Sequence, residues 1–211
     1  MGFCLFNNVA VTAAALVDRG ERVLIADIDA HHGNGTQDIF YDDPRVLFVS
    51  WHQWPLYPGS GRIEETGSGA GAGTTLNIPL PPGSTGDHYR RALDDVVRAA
   101  VESFAPTWLL ISAGYDAHRA DPLASLGLTS GDYSDLVTQL AGLVGRHRVI
   151  VFLEGGYDLG AIERSSAATV SALAGVGLHE EPATAGGPGA TAVDNLEEFH
   201  RRHGVLSASS G

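Results

Sequence analysis

The stretch RVLIADIDAHHG, residues 22–33, joins a short apolar run to a cluster of acidic and imidazole side chains. Its first part, Arg22–Ile28, shows no polar alternation, which is typical of a strand buried on both faces of a parallel sheet. Three other runs have the same character: Val46–Trp51, Thr107–Ala113 and Val149–Leu153. These four runs predict a mainly parallel sheet.

Helical patterns lie between these strands, over Asn8–Arg19, Asp87–Phe104, Thr129–Val144 and Asp158–Leu173. Strands that alternate with helices predict an α/β fold with helices on the faces of the sheet. We expect residues 1–175 to form the domain. Residues 176–211 begin with a stretch rich in Gly, Pro, Ala and Thr, and they predict a flexible segment with a short helix over Leu196–His203.

The composition excludes several classes of function. The formal net charge of −12 leaves no basic surface for direct nucleic-acid binding. No apolar run approaches the roughly 18 residues that a membrane span needs. The single cysteine, Cys4, cannot form an internal disulfide, which favours a reducing compartment and a cytoplasmic protein. Nothing in the composition excludes an oligomer.

Polar side chains follow the predicted strands, at the sheet edge where ligands of open α/β folds bind. Asp29 and His31 are two residues apart, so they point the same way on an extended chain. Asp116, after the third predicted strand, would complete three protein ligands and leave a position open, the pattern of a catalytic zinc centre. Mixed oxygen and nitrogen ligands also suit other divalent transition metals. An isolated Asp-x-His is more often a hydrogen-bonded loop or a helix cap, but the alternation of Asp27, Asp29 and His31 directly after an apolar strand favours the metal site.

Tyr157 follows the glycine pair Gly155-Gly156, which lets the backbone approach a ligand closely. A phenol in that position can donate a hydrogen bond to a developing oxyanion. The alternative is ordinary packing, which is the commoner fate of a tyrosine after two glycines. The long Gly- and Ser-rich loop from Gly59 to Thr75 is typical of a functional loop.

Four motifs occur in order along the chain: GFCLFNN at 2–8, DIDAHHGNGT at 27–36, SAGYDAH at 112–118 and LEGGY at 153–157. Together they resemble the histone deacetylase and acetylpolyamine amidohydrolase superfamily over residues 2–175. NGTQ at 34–37 and PGSG at 58–61 are more similar to its class II and bacterial branch. The resemblance implies an arginase-like deacetylase fold, with three layers and a mainly parallel sheet, of which this chain would be the C-terminal portion.

The resemblance also implies roles for individual residues. It assigns one zinc ion to Asp29, His31 and Asp116. It assigns catalytic roles to Tyr157, which would polarise the acetyl carbonyl, and to Asp27 and Asn34, which would support two catalytic histidines. It assigns substrate contacts to Gly2, Phe3, Tyr57, Gly155 and Gly156. It assigns structural potassium to Asp27, Ser50 and Phe40.

The chain departs from the family pattern at its start. Family members carry a His-His pair, the general acid and base, shortly before the Gly-Phe-Cys segment, whereas Met1 directly precedes Gly2 here. We therefore expect an N-terminally truncated deacetylase that binds metal poorly and has little activity as written. One alternative is a non-catalytic remnant that serves as a binding module.

A second alternative is an arginase- or agmatinase-type hydrolase with two manganese ions. It would need an Asp-x-Asp after the third predicted strand, but Asp116-Ala117-His118 stands there. The expected substrates are acetylated lysine in proteins, or an acetylated polyamine or small amine. Some polyamine-preferring relatives carry an acidic residue at the position of Leu123, so the apolar leucine weakly disfavours polyamine substrates.

Overall fold

The computed structural model describes residues 5–203, so the predicted substrate contacts Gly2 and Phe3 lie outside the described residues. Five parallel strands form one sheet in the order β3-β2-β1-β4-β5. They are β1 (Val23–Asp27), β2 (Val46–Gln53), β3 (Thr75–Leu80), β4 (Trp108–Ala113) and β5 (Val149–Leu153). The predicted α/β fold with a mainly parallel sheet is confirmed.

The helices are α1 (Asn8–Val17), α2 (Asn34–Phe40), α3 (Gly86–Ala92), α4 (Arg98–Phe104), α5 (Ser130–Val144), α6 (Leu159–Leu173) and α7 (Ala190–His203). A π-helical stretch, Leu93–Val97, joins α3 to α4, so the helix predicted over Asp87–Phe104 is interrupted by a wider turn. Thr129 and Asp132 form a capping box at the start of α5.

Two elements were not predicted. Strand β3 was missed because Asn77 and Pro79 interrupt its apolar pattern, yet Pro79 is tolerated because β3 is an edge strand of the sheet. Helix α2 was not predicted because the stretch Gly33-Asn34-Gly35 is typical of a tight turn. Instead Gly33 precedes the first turn of the helix, which buries Thr36, Gln37 and Phe40.

Alternate residues of each central strand face two different cores. Leu24 and Ala26 of β1 belong to the larger core, which α3, α4, α5 and α7 also line, together with the π-helical stretch. Val23 and Ile25 belong to a smaller core with α1, Phe40 and Phe48. The result is three layers, and the carboxyl ends of all five strands meet at one edge of the sheet. The strand order reverses between β1 and β4, which is where open α/β sheets bind ligands.

The helix in the C-terminal segment is longer than predicted, and the segment makes specific contacts with the rest of the fold. Helix α7 begins at Ala190, six residues before the predicted helix, and buries Val193 and Leu196 in the larger core. Ahead of it, Thr184 hydrogen-bonds to Asp132 and Glu181 to Ser130. The packed unit therefore extends past residue 175, and the flexibility of residues 176–211 stays a prediction. No helix within residues 5–203 is long and apolar enough to cross a membrane.

His200 of α7 gives the fold a dependence on pH. The side chain is fully buried, and neither ring nitrogen has a hydrogen-bond partner among the described residues. Burial, aided by repulsion from His203, lowers the pKa of His200 to about 4. In the unfolded chain His200 is protonated below about pH 6.5, whereas in the folded chain it is protonated only below about pH 4. The free energy of unfolding therefore falls as the pH decreases from about 6.5 to about 4.

We predict that His200→Leu removes this part of the acid sensitivity. Between pH 6.5 and 5 the wild-type chain should lose up to roughly 2 kcal/mol of unfolding free energy through His200 alone. Urea unfolding at pH 7.5 and pH 5 measures the difference, with His147→Leu, an exposed histidine away from α7, as the control. Equal losses in His200→Leu and wild type would contradict the assignment.

Candidate metal centre

A cavity of about 690 Å³ opens at the carboxyl end of the sheet. Its acidic lining lies at or just after the ends of three neighbouring strands: Asp27 and Asp29 at β1, Asp116 after β4, and Glu154 after β5. His31 after β1 and Ser112 in β4 lie beside these carboxylates in the lining. Its other lining residues include Phe6, Leu56, Tyr57, Leu123, Gly155, Gly156 and Tyr157. The fold therefore brings apolar walls and an acidic floor together.

Asp29, His31 and Asp116 converge on the floor of this cavity. The Nδ1 atom of His31 lies 3.1 Å from Asp29 Oδ1 and 2.9 Å from Asp116 Oδ2. One potential ligand atom from each residue lies within 4.8 Å of the other two. The three side chains that the sequence put forward as metal ligands thus form one group.

Backbone N–H groups hold the two carboxylates in place. The N–H of Ala30 donates to Asp116 Oδ1 at 2.7 Å, which leaves Oδ2 turned toward the imidazole. The N–H of His31 donates to Asp29 Oδ1 at 2.6 Å. The segment that follows β1 therefore orients both Asp29, at the end of its own strand, and Asp116, after β4.

The electrostatics of the site favour a bound cation. Burial, together with the neighbouring Asp116 carboxylate, raises the pKa of Asp29 to about 6. Burial and then Asp29 also raise the pKa of Asp27 well above its usual value. Hydrogen bonds to Asp116 and Asp29 raise the pKa of His31 to about 10. Three carboxyls this close ionise together only when positive charge lies among them.

Three glycines make room for the carboxylates. A Cβ atom would lie 2.0 Å from Asp27 Oδ2 if built on Gly33, and 2.1 Å from Asp29 Oδ2 if built on Gly114. Built on Gly155, it would lie 2.7 Å from Asp116 Oδ2. The sequence analysis assigns a role to Gly155 but none to Gly114, because Asp29, its neighbour in space, is distant along the chain.

The other predicted site residues divide into two sets. Tyr57, Gly155, Gly156, Tyr157 and Asp27 line the cavity. Asn34, Ser50 and Phe40 do not. Asn34 begins α2, and its buried Oδ1 has no partner among residues 5–203. Ser50 is the register partner of Asp27 and hydrogen-bonds to His52, and Phe40 packs in the smaller core.

A buried polar network fixes the loop that carries Tyr57. His32 hydrogen-bonds to Ser60 and Gln37, and Gln37 in turn donates to Glu65 at 2.6 Å. His52 pairs with the carbonyl of Gly61, and burial and the adjacent His32 lower its pKa to about 3. Sequence reasoning missed this network, because only the fold brings residues 32, 37, 52 and 65 together.

Known proteins match this chain over the residues that contain these motifs. The family described as "Histone deacetylase domain" matches residues 1–173. A probable deacetylase of Archaeoglobus fulgidus is 45% identical over 182 residues, which cover 84% of this chain and 51% of that protein. A protein of Oryza sativa subsp. japonica named histone deacetylase 10, chloroplastic, is 47% identical over 180 residues, 83% of this chain and 41% of its own.

Solved structures agree with these matches. The crystal structure of the HDA15 HD domain has a TM-score of 0.85 and 37% identity, and the match covers 95% of this chain and 55% of that one. The structure of the histone deacetylase Clr3 has a TM-score of 0.83 and 37% identity, with coverage of 92% and 34%. The chain thus spans about half the length, or less, of the relatives that it matches.

The glycine packing gives a direct test of the site. We predict that Gly114→Ala lowers the unfolding free energy by roughly 1–3 kcal/mol, because the new methyl group must displace Asp29. Urea unfolding of the purified chain measures this. Gly142→Ala is the matched control, since Gly142 lies within α5 with no atom within 4 Å of the added Cβ. That control should gain roughly 0.5–1 kcal/mol, and a Gly114→Ala chain as stable as wild type would show that the Asp29 contact is wrong.

Proposed function

This chain belongs to the histone deacetylase family, and on that premise we propose that it is part of a zinc-dependent amidohydrolase that removes acetyl or similar acyl groups from acetyl-lysine or acetylated amines. Membership of the family and the arginase-like deacetylase fold support a hydrolase that acts on acetyl amides. The convergence of Asp29, His31 and Asp116 on the floor of the cavity carries the finer proposal.

The donor set fits a zinc ion. Ligand atoms bound at about 2.0–2.1 Å in a tetrahedron lie roughly 3.3 Å apart, and the 2.9 and 3.1 Å separations around His31 Nδ1 are close to that. Two carboxylates and one imidazole would hold the ion and leave a position open to the cavity. When bound, zinc acidifies a water molecule and polarises the amide carbonyl.

Tyr157 is the residue that we assign to the substrate carbonyl. Its side chain is half-exposed on the cavity wall, and its backbone follows Gly155, whose N–H lies 3.4 Å from Asp29 Oδ2. A phenol held there can donate a hydrogen bond to the carbonyl oxygen as negative charge develops on it, which is worth several kcal/mol in a dry site.

The walls of the cavity suit a long aliphatic stem. Leu56, Tyr57 and Leu123 offer apolar surface beside the floor. The extended methylene chain of acetyl-lysine or of an acetylated amine can bury itself there, with Gly155 and Gly156 admitting it near the backbone. We include Gly2 and Phe3 among the substrate contacts on the resemblance alone.

The remaining roles also rest on the resemblance. We propose that Asp27 and Asn34 support a pair of catalytic histidines, and the unpartnered Oδ1 of Asn34 is compatible with a missing donor. Among residues 5–203, only His31 and His32 are histidines that line the cavity. Asp27 and Ser50, side by side on β1 and β2, and Phe40 are proposed for structural potassium.

Several broader expectations are part of the same proposal. The substrates would be acetylated lysines in proteins or acetylated small amines, without direct binding to nucleic acid or to a membrane, and an oligomer is not excluded. The class II-like bacterial branch, the N-terminal truncation and low activity of the chain as written stay predictions. A cytoplasmic location rests on the single cysteine, and the plastid name of the rice relative applies to that protein.

We predict that the 211-residue chain binds one zinc ion, more weakly than a relative with the catalytic histidine pair, and that Asp116→Asn weakens this binding at least tenfold further. Loss of a residue that only supports a zinc ligand already weakens metal binding about 10–100-fold. Isothermal titration with zinc chloride, after dialysis against a chelator, gives affinity and stoichiometry. Asp38→Asn, an exposed acid on α2, is the control. In a parallel titration with manganese chloride, two tightly bound ions per chain would instead support the arginase-type alternative.

We predict that Tyr157→Phe reduces kcat for an acetyl-lysine peptide by about 10²–10³, because it removes the donor to the oxyanion. Turnover is measured on the full product of the gene, since the resemblance places the acid and base ahead of residue 2. Tyr41→Phe, outside the cavity, should leave kcat unchanged. Zinc binding without any turnover by that gene product would favour the binding-module alternative.

A further inference from the structure

Asp121 is a buried carboxylate that binds two different parts of the cavity wall. Only 6% of the residue is exposed, and it forms no ion pair among the described residues. Its Oδ2 accepts the backbone N–H of Tyr157 at 2.7 Å, and its Oδ1 accepts the backbone N–H of Leu123 at 2.9 Å. Both residues line the cavity.

The loop that holds Asp121 is fixed independently of Tyr157. The N–H of Asp121 donates to the carbonyl of His118 at 2.8 Å, and the N–H of Arg119 donates to Leu128 at 2.8 Å. The buried ring of His118 is paired with Glu181 at 2.8 Å. Asp116 begins the same loop, so the metal group and the Asp121 carboxylate share one short, anchored stretch of backbone.

The segment that carries Tyr157 needs such a support. Gly156 has a φ of +141°, a conformation that other residues rarely adopt, and a Cβ there would lie 2.9 Å from Ile162 Cγ1. Two consecutive glycines leave the direction of the next peptide weakly determined by the chain itself. A hydrogen bond to a carboxylate is among the stronger kinds and fixes the orientation of that peptide.

We propose that Asp121 is a positioning residue that sets the place of the Tyr157 phenol relative to the Asp29, His31 and Asp116 group. This inference rests on the proposed function. One loop carries Asp116 at its start and Asp121 five residues later. The metal group and the Tyr157 phenol, which would lie on the two sides of the substrate carbonyl, are therefore both held by residues of this loop. Leu123 is held by the same carboxylate, so the phenol and the apolar wall keep a constant separation.

The first test measures the hydrogen bond itself. The chain is labelled with ¹⁵N-tyrosine, and amide hydrogen exchange is followed by NMR for wild type, Asp121→Asn and Asp121→Ala. We expect the Tyr157 amide to exchange about 10–100-fold faster in Asp121→Ala, the loss of one hydrogen bond to a charged group. Asp121→Asn, whose side chain can accept only one of the two N–H groups, should give a smaller change.

The Tyr133 amide is the internal control in the same spectra. It donates to the carbonyl of Thr129 at 3.2 Å, at the start of α5, and has no described hydrogen bond to Asp121 or to residues 155–157. Its exchange should stay unchanged in both variants. Equal acceleration of Tyr133 and Tyr157 would mean that Asp121 only stabilises the fold, and an unchanged Tyr157 rate would show that the contact is absent. Either result overturns the proposal.

The second test asks whether the effect passes through the phenol. In the full product of the gene, kcat and KM for an acetyl-lysine peptide are measured for Asp121→Ala, Tyr157→Phe and the double variant. We expect Asp121→Ala to lower kcat at least tenfold with little change in KM, and to add almost nothing in the Tyr157→Phe background. The same fold-loss in both backgrounds would overturn the proposal. A fully active Tyr157→Phe variant would refute the proposed function. The amide exchange rates would still decide separately whether Asp121 holds the Tyr157 backbone.

Discussion

Burying three carboxyls beside one imidazole is the constraint on which this structure depends. Asp27, Asp29 and Asp116 each repel the others, and the surrounding apolar layers make their charge more costly. Backbone N–H groups donate hydrogen bonds to the oxygens of Asp29 and Asp116, and glycines lie where a larger side chain would clash with the carboxylates. A cation among them, whether a proton on His31 or a metal ion, completes the balance. The sheet, its loops and the C-terminal segment all serve to hold that group together.

Much of this arrangement could be predicted from the sequence. The apolar runs at β1, β2, β4 and β5 were readable because buried parallel strands need no polar alternation. The spacing of Asp29 and His31 predicted a shared direction, and the motif around Asp116 supplied the third partner. What failed were the elements whose sequence is ambiguous when taken alone. Strand β3 contains Pro79, which only its place at the sheet edge permits, and α2 begins in a glycine-rich stretch that is equally typical of a turn.

The contacts between distant parts of the chain were beyond sequence reasoning. Asp121 precedes a proline and looks like an ordinary turn residue, and only the fold shows that its carboxylate reaches Tyr157, 36 residues away. Gly114 is one of 27 glycines, and its importance comes from the oxygen of Asp29 that occupies the space beside it. The network of His32, Gln37 and Glu65 is likewise a product of packing, since no periodic pattern links these positions.

The pairing of His118 with Glu181 bears on how the protein is made. These two residues are 63 positions apart, and Glu181 lies in the segment ahead of the last described helix. During synthesis from the N-terminus the ribosome exposes β1, β2 and β4 well before that segment emerges. Until then the loop with Asp116 and Asp121 lacks one of its anchors. The loop can therefore reach its final geometry only after residue 181 has been translated.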